Sequence, residues 1–151
     1  AHIRPMLSEY FMTSPHRSIL SFDAQAKMDS FAAADVALVK SGTVSLEMAY
    51  ARTPMVVMYQ VNALTAAIAK RLIRIPYVSL VNILLNRMAI PELLQENATT
   101  AAMTHALKQL LINPQAAQQQ IAYGDQAVAM LQHGSLHPAQ QAANVIDALV
   151  K

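Results

Sequence analysis

Cysteine and tryptophan are absent, glycine occurs only three times, and charged side chains make up 13% of the 151 residues. Without cysteine there is no disulfide framework, no thiol nucleophile and no thiolate metal site, a composition that fits a reducing compartment. Three glycines leave neither a G-x-G-x-x-G motif nor a Walker loop, so any nucleotide is held without a dinucleotide or ATPase fingerprint. The formal net charge is only +2, aromatics are 5%, and no basic run is interleaved with them, which argues against nucleic acid as a partner. No secretory signal is visible, and no apolar run reaches the roughly 18 residues that a membrane-spanning helix needs. Nothing resembles a G-x-S-x-G elbow or a zinc motif. His133 and His137 flank Gly134, which breaks helical geometry between them, so no metal and no cofactor are expected. No catalytic acid, base or nucleophile stands out.

What is present is apolar. Hydrophobic residues make up 54% of the chain, which is long enough for one domain with a real core. So apolar a chain suits a protein resting on a membrane surface, or a piece that has lost a partner domain. The second expectation has support at the amino end. The chain starts at Ala1, and A-H-I-R-P-M-L-S-E-Y-F-M reads as the middle of a helix with no first strand before it.

Along the chain, Ser18 to Ser21 is a short apolar stretch of strand type, and Asp23 is placed to cap a helix carrying Met28, Phe31 and Ala32. Val36 to Val39 and Met55 to Tyr59 are continuous apolar runs, the signature of parallel strands buried on both faces. Asn62 to Ile75 predicts a helix, with Leu64, Ile68, Leu72 and Ile75 on one face and Lys70, Arg71 and Arg74 on another, stopped by Pro76. Tyr77 to Leu80 is a fourth strand candidate. Thr99 or Thr100 caps a further helix with Met103, Leu107, Leu110 and Leu111, ended by Asn113-Pro114. A Gln/Ala-rich helix follows, with Ile121, Val128 and Leu131 as its stripe and Gly134 as its cap. Pro138 opens a last helix whose inward residues are expected to be Ala142, Ile146 and Leu149. The fold expected is a doubly wound α/β domain, a Rossmann-like parallel sheet with a helical C-terminal tail.

The most informative segment is Ala34 to Val61, which reads as strand, tight turn, short helix and second strand, with Ser41-Gly42-Thr43 at the turn. Such a turn presents unpaired backbone N–H groups and the positive end of a helix dipole, which together suit a phosphate. An ordinary βα turn with a Ser or Thr cap fits the same residues. Glu47 lies one helical turn beyond Thr43, where a carboxylate can accept two hydrogen bonds from a vicinal diol such as a ribose, or simply favour the helix start. Asn82 and Arg87 are expected in a loop at the same end of the sheet, although Asn82 also suits a plain helix cap. Lys70, Arg71 and Arg74 beside an apolar stripe suit anionic lipid headgroups, or the solvated outside of a crossover helix.

Three blocks in order, K-S-G-T-V-S-L-E-M-A-Y-A-R-T-P-M-V-V-M-Y-Q-V, L-T-A-A-I-A-K-R-L-I-R-I-P-Y-V-S-L-V-N-I-L-L and I-P-E-L-L-Q-E, resemble the lipid-A-disaccharide synthase family over about Phe31 to Glu96. That family is an inverting glycosyltransferase of the two-domain GT-B type. It joins UDP-2,3-diacylglucosamine to 2,3-diacylglucosamine 1-phosphate and releases UDP. The resemblance implies that residues 1–151 are a partial carboxyl-terminal, UDP-sugar-binding domain, with the amino-terminal acceptor domain absent and, with it, the carboxylate expected to serve as general base. Ser41, Gly42 and Thr43 match the family's S-G-T, which approaches the diphosphate. Glu47 matches the glutamate that grips the ribose, Asn82 the asparagine of the UDP site, and Glu92 and Gln95 the closing E-L-L-Q.

The resemblance further implies a cytoplasmic enzyme peripheral to the inner membrane of a Gram-negative bacterium, touching the membrane through an apolar and basic face, with a second copy of itself as a further partner. Val81 stands where the family usually has proline, Asn86 where many members have glycine, and Gln60 where Arg or Lys is common. The competing expectation is a non-catalytic α/β nucleotide-binding or interaction module, a truncated relic. Another UDP-sugar GT-B enzyme, such as the lipid II-forming transferase or a UDP-sugar 2-epimerase, fits the V-S-L-x-N and P-E-L-L-Q blocks less well.

Overall fold

The computed structural model describes residues 3–40, 42–62, 76–131 and 138–150. Three strands, β1 (Ala37–Lys40), β2 (Met55–Tyr59) and β3 (Glu92–Leu94), form a parallel sheet in the order β1-β2-β3. Helices α1 (Ile3–Thr13) and α2 (Ala24–Ala33) precede the sheet. Between the strands lie α3 (Val44–Tyr50) and α4 (Leu80–Leu85), and α5 (Thr100–Ile112), α6 (Pro114–Leu131) and α7 (Pro138–Val150) follow it. The observed fold is the expected mixed α/β one, an incomplete Rossmann-like domain.

Register and side-chain alternation explain the core. Val39 pairs with Val57, and these two join Met55, Met48, Ala49, Val81, Ile90 and Ala127 in one cluster. Val56 is of opposite parity along β2 and is also fully buried, so the central strand is covered on both faces. That is why its sequence is continuously apolar rather than alternating. Burying a Val or Met side chain of this kind stabilises the fold by roughly 1.5–3 kcal/mol.

Asp23 and Thr99 cap as expected, accepting from the N–H groups of Ala26 and Ala102. Other expectations are corrected. Ser18 to Ser21 forms no strand. Tyr77 to Leu80 is not a strand either: the Ser79 hydroxyl accepts from the Asn82 N–H and starts α4, so local capping overrides a short apolar run. The third strand is instead Glu92–Leu94, where a charged first residue hides the strand pattern. On α6 the deeply buried positions are Gln120, Gly124 and Ala127, not the bulkier stripe; Ile121 and Val128 are half-buried, and Leu131 is exposed. On α5 Leu110 is buried but Leu111 is exposed. Ala142, Ile146 and Leu149 of α7 all face outward, Leu149 being 81% exposed. The helix expected over Asn62 to Ile75, its basic face at Lys70, Arg71 and Arg74, and the cap and histidines at His133, Gly134 and His137 lie outside the described residues, Asn62 apart.

Two contacts fix the layers. Gly124 lets α6 approach α3, because a Cβ built there would lie 3.2 Å from the Ala49 Cβ and 3.4 Å from its Cα. The second contact is the Asn82 side chain, which is fully buried. Its amide donates to the Ile90 carbonyl (2.8 Å) and to Glu92 Oε1 (2.7 Å), and its oxygen accepts from the N–H groups of Ala89 (2.9 Å) and Ile90 (2.8 Å). Both donors and both lone pairs of a primary amide are thereby used. Glu92 completes the knot by accepting from the N–H groups of Val78 and Ser79, each at 2.9 Å.

Asn82→Asp keeps the shape but turns an oxygen toward the Ile90 carbonyl and the Glu92 carboxylate. It is expected to cost about 3 kcal/mol at neutral pH in urea unfolding, and an unchanged midpoint would remove the knot from the account. Gly124→Val is expected to cost about 2 kcal/mol in the same assay by forcing α6 off Ala49; a neutral result would show that the two helices can part freely.

Candidate functional site

The candidate site is the carboxyl end of the sheet, where β1 runs into α3 and the segment before α4 comes alongside. Gly42 has φ +147, a conformation that L side chains rarely adopt, while a Cβ there would meet nothing within 4 Å. Backbone geometry, not crowding, therefore asks for glycine at this turn. The N–H groups of Ser45, Leu46 and Glu47 turn back onto the carbonyls of Gly42 and Thr43. Those of Thr43 and Val44 have no acceptor among the described residues, as the first turn of a helix requires. Thr43 makes no side-chain cap, so its hydroxyl is not used to close the helix. Ser41 lies outside the described residues.

One buried hydroxyl joins the two turns. Ser45 Oγ donates to the Gly42 carbonyl (2.9 Å) and accepts from the Leu80 N–H (3.3 Å), with Ser45 completely buried. Gly42 and the start of α4 are thus neighbours through a single atom. Ser79, one residue before, is held by Glu92, and Glu92 by Asn82. These bonds fix the backbone of both turns, and the N–H groups left without an acceptor among the described residues are those of Thr43 and Val44.

The sequence-derived candidates divide accordingly. Gly42 and Thr43 sit at the mouth. Glu47 is on α3 one turn further in, its side chain 37% exposed, and it pairs with Lys27 of α2 at 2.8 Å. An exposed pair of this kind is worth about 1 kcal/mol at most, so the carboxylate can share Lys27 with another donor or leave it at little cost. Gln95, just past β3, takes φ +49 and accepts weakly from the Val61 N–H (3.4 Å), tying the ends of β2 and β3.

Asn82 and Glu92 are placed differently from the reading that set Asn82 in a crevice loop. Asn82 belongs to α4 and is 0% exposed, and its amide is spent on protein groups. Arg87 lies past the far end of α4, with its guanidinium stacked 4.4 Å over the ring of Tyr123. Sequence pattern gave no sign of Ser45, the hydroxyl that links the turns. The only hint is that a small polar residue sits on the inward face of α3, beside Met48 and Ala49.

A hollow of about 370 Å³ lies beside Ala89, Pro91, Leu110 and Gln120. Gln120 accepts from the N–H of Met55, the first residue of β2, so this groove belongs to the amino end of the sheet, away from the S-G-T turn. Among the described residues no group of three His, Cys, Asp or Glu is placed to hold a metal ion. None of the described helices is long and apolar enough to cross a membrane.

Comparison with known proteins adds an independent line. The family model for lipid-A-disaccharide synthetase matches residues 6–146. The lipid-A-disaccharide synthase of Gluconobacter oxydans is 43% identical over 124 residues, covering 82% of this chain and 30% of the relative. That of Granulibacter bethesdensis is 50% identical over 99 residues (66% and 25%), and that of Rhodospirillum centenum 42% over 120 residues (80% and 30%). The chain therefore spans less than a third of the length of these relatives. With residues 6–146 matched by the family model and relatives 42–50% identical over most of its length, this chain belongs to the lipid-A-disaccharide synthase family.

Proposed function

We propose that this chain is the UDP-sugar-binding part of a glycosyltransferase that moves 2,3-diacylglucosamine from UDP to 2,3-diacylglucosamine 1-phosphate, making the lipid A disaccharide. The observation that carries the reading is the junction through Ser45 Oγ, which sets the S-G-T turn and the start of α4 side by side at the carboxyl end of a parallel sheet. In open α/β sheets this is where ligands bind.

In this reading the amides and hydroxyls of Ser41, Gly42 and Thr43 receive the diphosphate, and Glu47 accepts from the ribose diol. Gln95 lines the same mouth. Asn82 and Glu92 serve the UDP site from behind, by fixing Val78 and Ser79. The chemistry is a displacement at the anomeric carbon. The acceptor hydroxyl forms the new bond, the bond to UDP breaks, and negative charge grows on the departing diphosphate. Fixed N–H donors aimed at that charge lower the barrier by roughly 3 kcal/mol each where they act as an oxyanion-type site. The hydroxyl proton goes to a carboxylate of the acceptor-binding half of the full-length enzyme. The acyl chains of both substrates call for contact with a membrane surface, for which the sequence offers the basic residues Lys70, Arg71 and Arg74.

Calorimetric titration with UDP and CDP tests the reading, with UDP expected to bind the more tightly; no binding of UDP would favour a non-catalytic module. Glu47→Ala is expected to weaken UDP binding about tenfold, the scale of one charged hydrogen bond, and unchanged affinity would remove Glu47 from the site. The 151-residue chain by itself is expected to form no disaccharide in a radiolabelled lipid assay; product above background would place the base within these residues.

A further inference from the structure

A neutral turn of Ser, Gly and Thr leaves a diphosphate without a counter-charge, and the end of β1 offers one. Along β1, Leu38 and Lys40 are exposed and Val39 is buried. The register sets Lys40 beside Met58, so alternation sends Tyr59, the next residue of β2, to the other face. Even so, Lys40 Nζ lies 5.9 Å from the centroid of the Tyr59 ring. The ammonium therefore bends round the carboxyl edge of the sheet toward β2, from the last residue of the strand that leads into the Gly42-Thr43 turn.

Three other cations among the described residues have partners of their own. Lys27 is paired with Glu47 at 2.8 Å, Arg52 with Asp125 at 3.3 Å, and Arg87 covers Tyr123. Among the described residues Lys40 faces an aromatic ring and no carboxylate. A ring face attracts the ammonium weakly at an exposed site, by about 0.5–1 kcal/mol, enough to bias its position and little enough to release it to a phosphate. Lys27 has a complementary effect, since by neutralising Glu47 it keeps that carboxylate from repelling a diphosphate nearby.

We propose that Lys40 is the cation that binds the diphosphate of the nucleotide at this mouth, and so sets the preference for a nucleoside diphosphate over a monophosphate. The inference rests on the UDP reading above. A lysine suits the task because its flexible stem and compact charge can follow the phosphate without a fixed fork of donors.

The test is calorimetric titration of the 151-residue chain and its Lys40→Gln and Lys40→Arg variants with UDP and with UMP, at low and at high salt. Lys40→Gln is expected to weaken UDP binding about tenfold and UMP binding clearly less, and to flatten the salt dependence for UDP; Lys40→Arg stays within about threefold of the parent. If the parent binds UDP and Lys40→Gln binds it equally well, or loses the same factor for UMP, Lys40 has no such role while the UDP reading stands. If the parent binds neither nucleotide, the UDP reading and this inference fall together. Lys40 is exposed, so an unchanged thermal midpoint in both variants is expected alongside.

Discussion

The hydrogen-bonded pair of Asn82 and Glu92 is the constraint on which the rest of the site depends. Neither is a surface residue looking for a ligand. Asn82 closes the chain between α4 and β3 by meeting Ala89 and Ile90 with both ends of its amide, and it passes one N–H on to Glu92. Glu92 spends its carboxylate on Val78 and Ser79, the two residues that deliver the chain to α4. Left unpaired, a buried amide or carboxylate costs far more than the net gain of making each bond, so the knot tolerates little change in geometry. From it the position of Leu80 follows, then Ser45, then the Gly42 carbonyl.

A site built this way has two kinds of parts. The N–H groups of Thr43 and Val44 have no acceptor among the described residues, whereas those of Val78, Ser79 and Leu80 at the start of α4 are spent on Glu92 and Ser45 and serve to hold the turn in place. The side chains around them, Glu47 with Lys27 and Lys40 with Tyr59, are partly or largely exposed and weakly held. Rigid neutral donors suit a charge that develops during reaction, because no reorganisation is needed when it appears. Loosely held ions suit capture and release of a charged ligand, since each can exchange its present partner for the ligand at small cost.

Much of this was legible in the sequence, and the failures have physical causes. A continuous apolar run marked β2 because that strand is covered on both faces, while the similar run at β1 overstated its burial, since Leu38 is 45% exposed; side-chain oxygens marked the helix starts at Asp23 and Thr99. The turn at Gly42 was legible because few residues but glycine accept its backbone angle. β3 was hidden because it is three residues long and begins with a glutamate needed for hydrogen bonding. Ser79 misled in the opposite direction, an N-cap sitting in what looked like a strand. Asn82 read as a loop residue because a single asparagine among V-N-I-L-L carries no mark of burial; only the distances to Ala89, Ile90 and Glu92 show it as interior. On α7, spacing suggested an inward face at Ile146 and Leu149, and periodicity alone cannot say whether a partner surface is present to cover it.

The central claim is that one crevice, bounded by the S-G-T turn and the start of α4, receives the nucleotide. Backbone amide chemical-shift mapping during titration with UDP tests it directly. The largest shifts are expected at Gly42, Thr43, Val44, Ser79 and Leu80, and the groove lined by Ala89, Leu110 and Gln120 should stay silent. Shifts centred on that groove, or on the S-G-T turn without Ser79 and Leu80, would contradict the account.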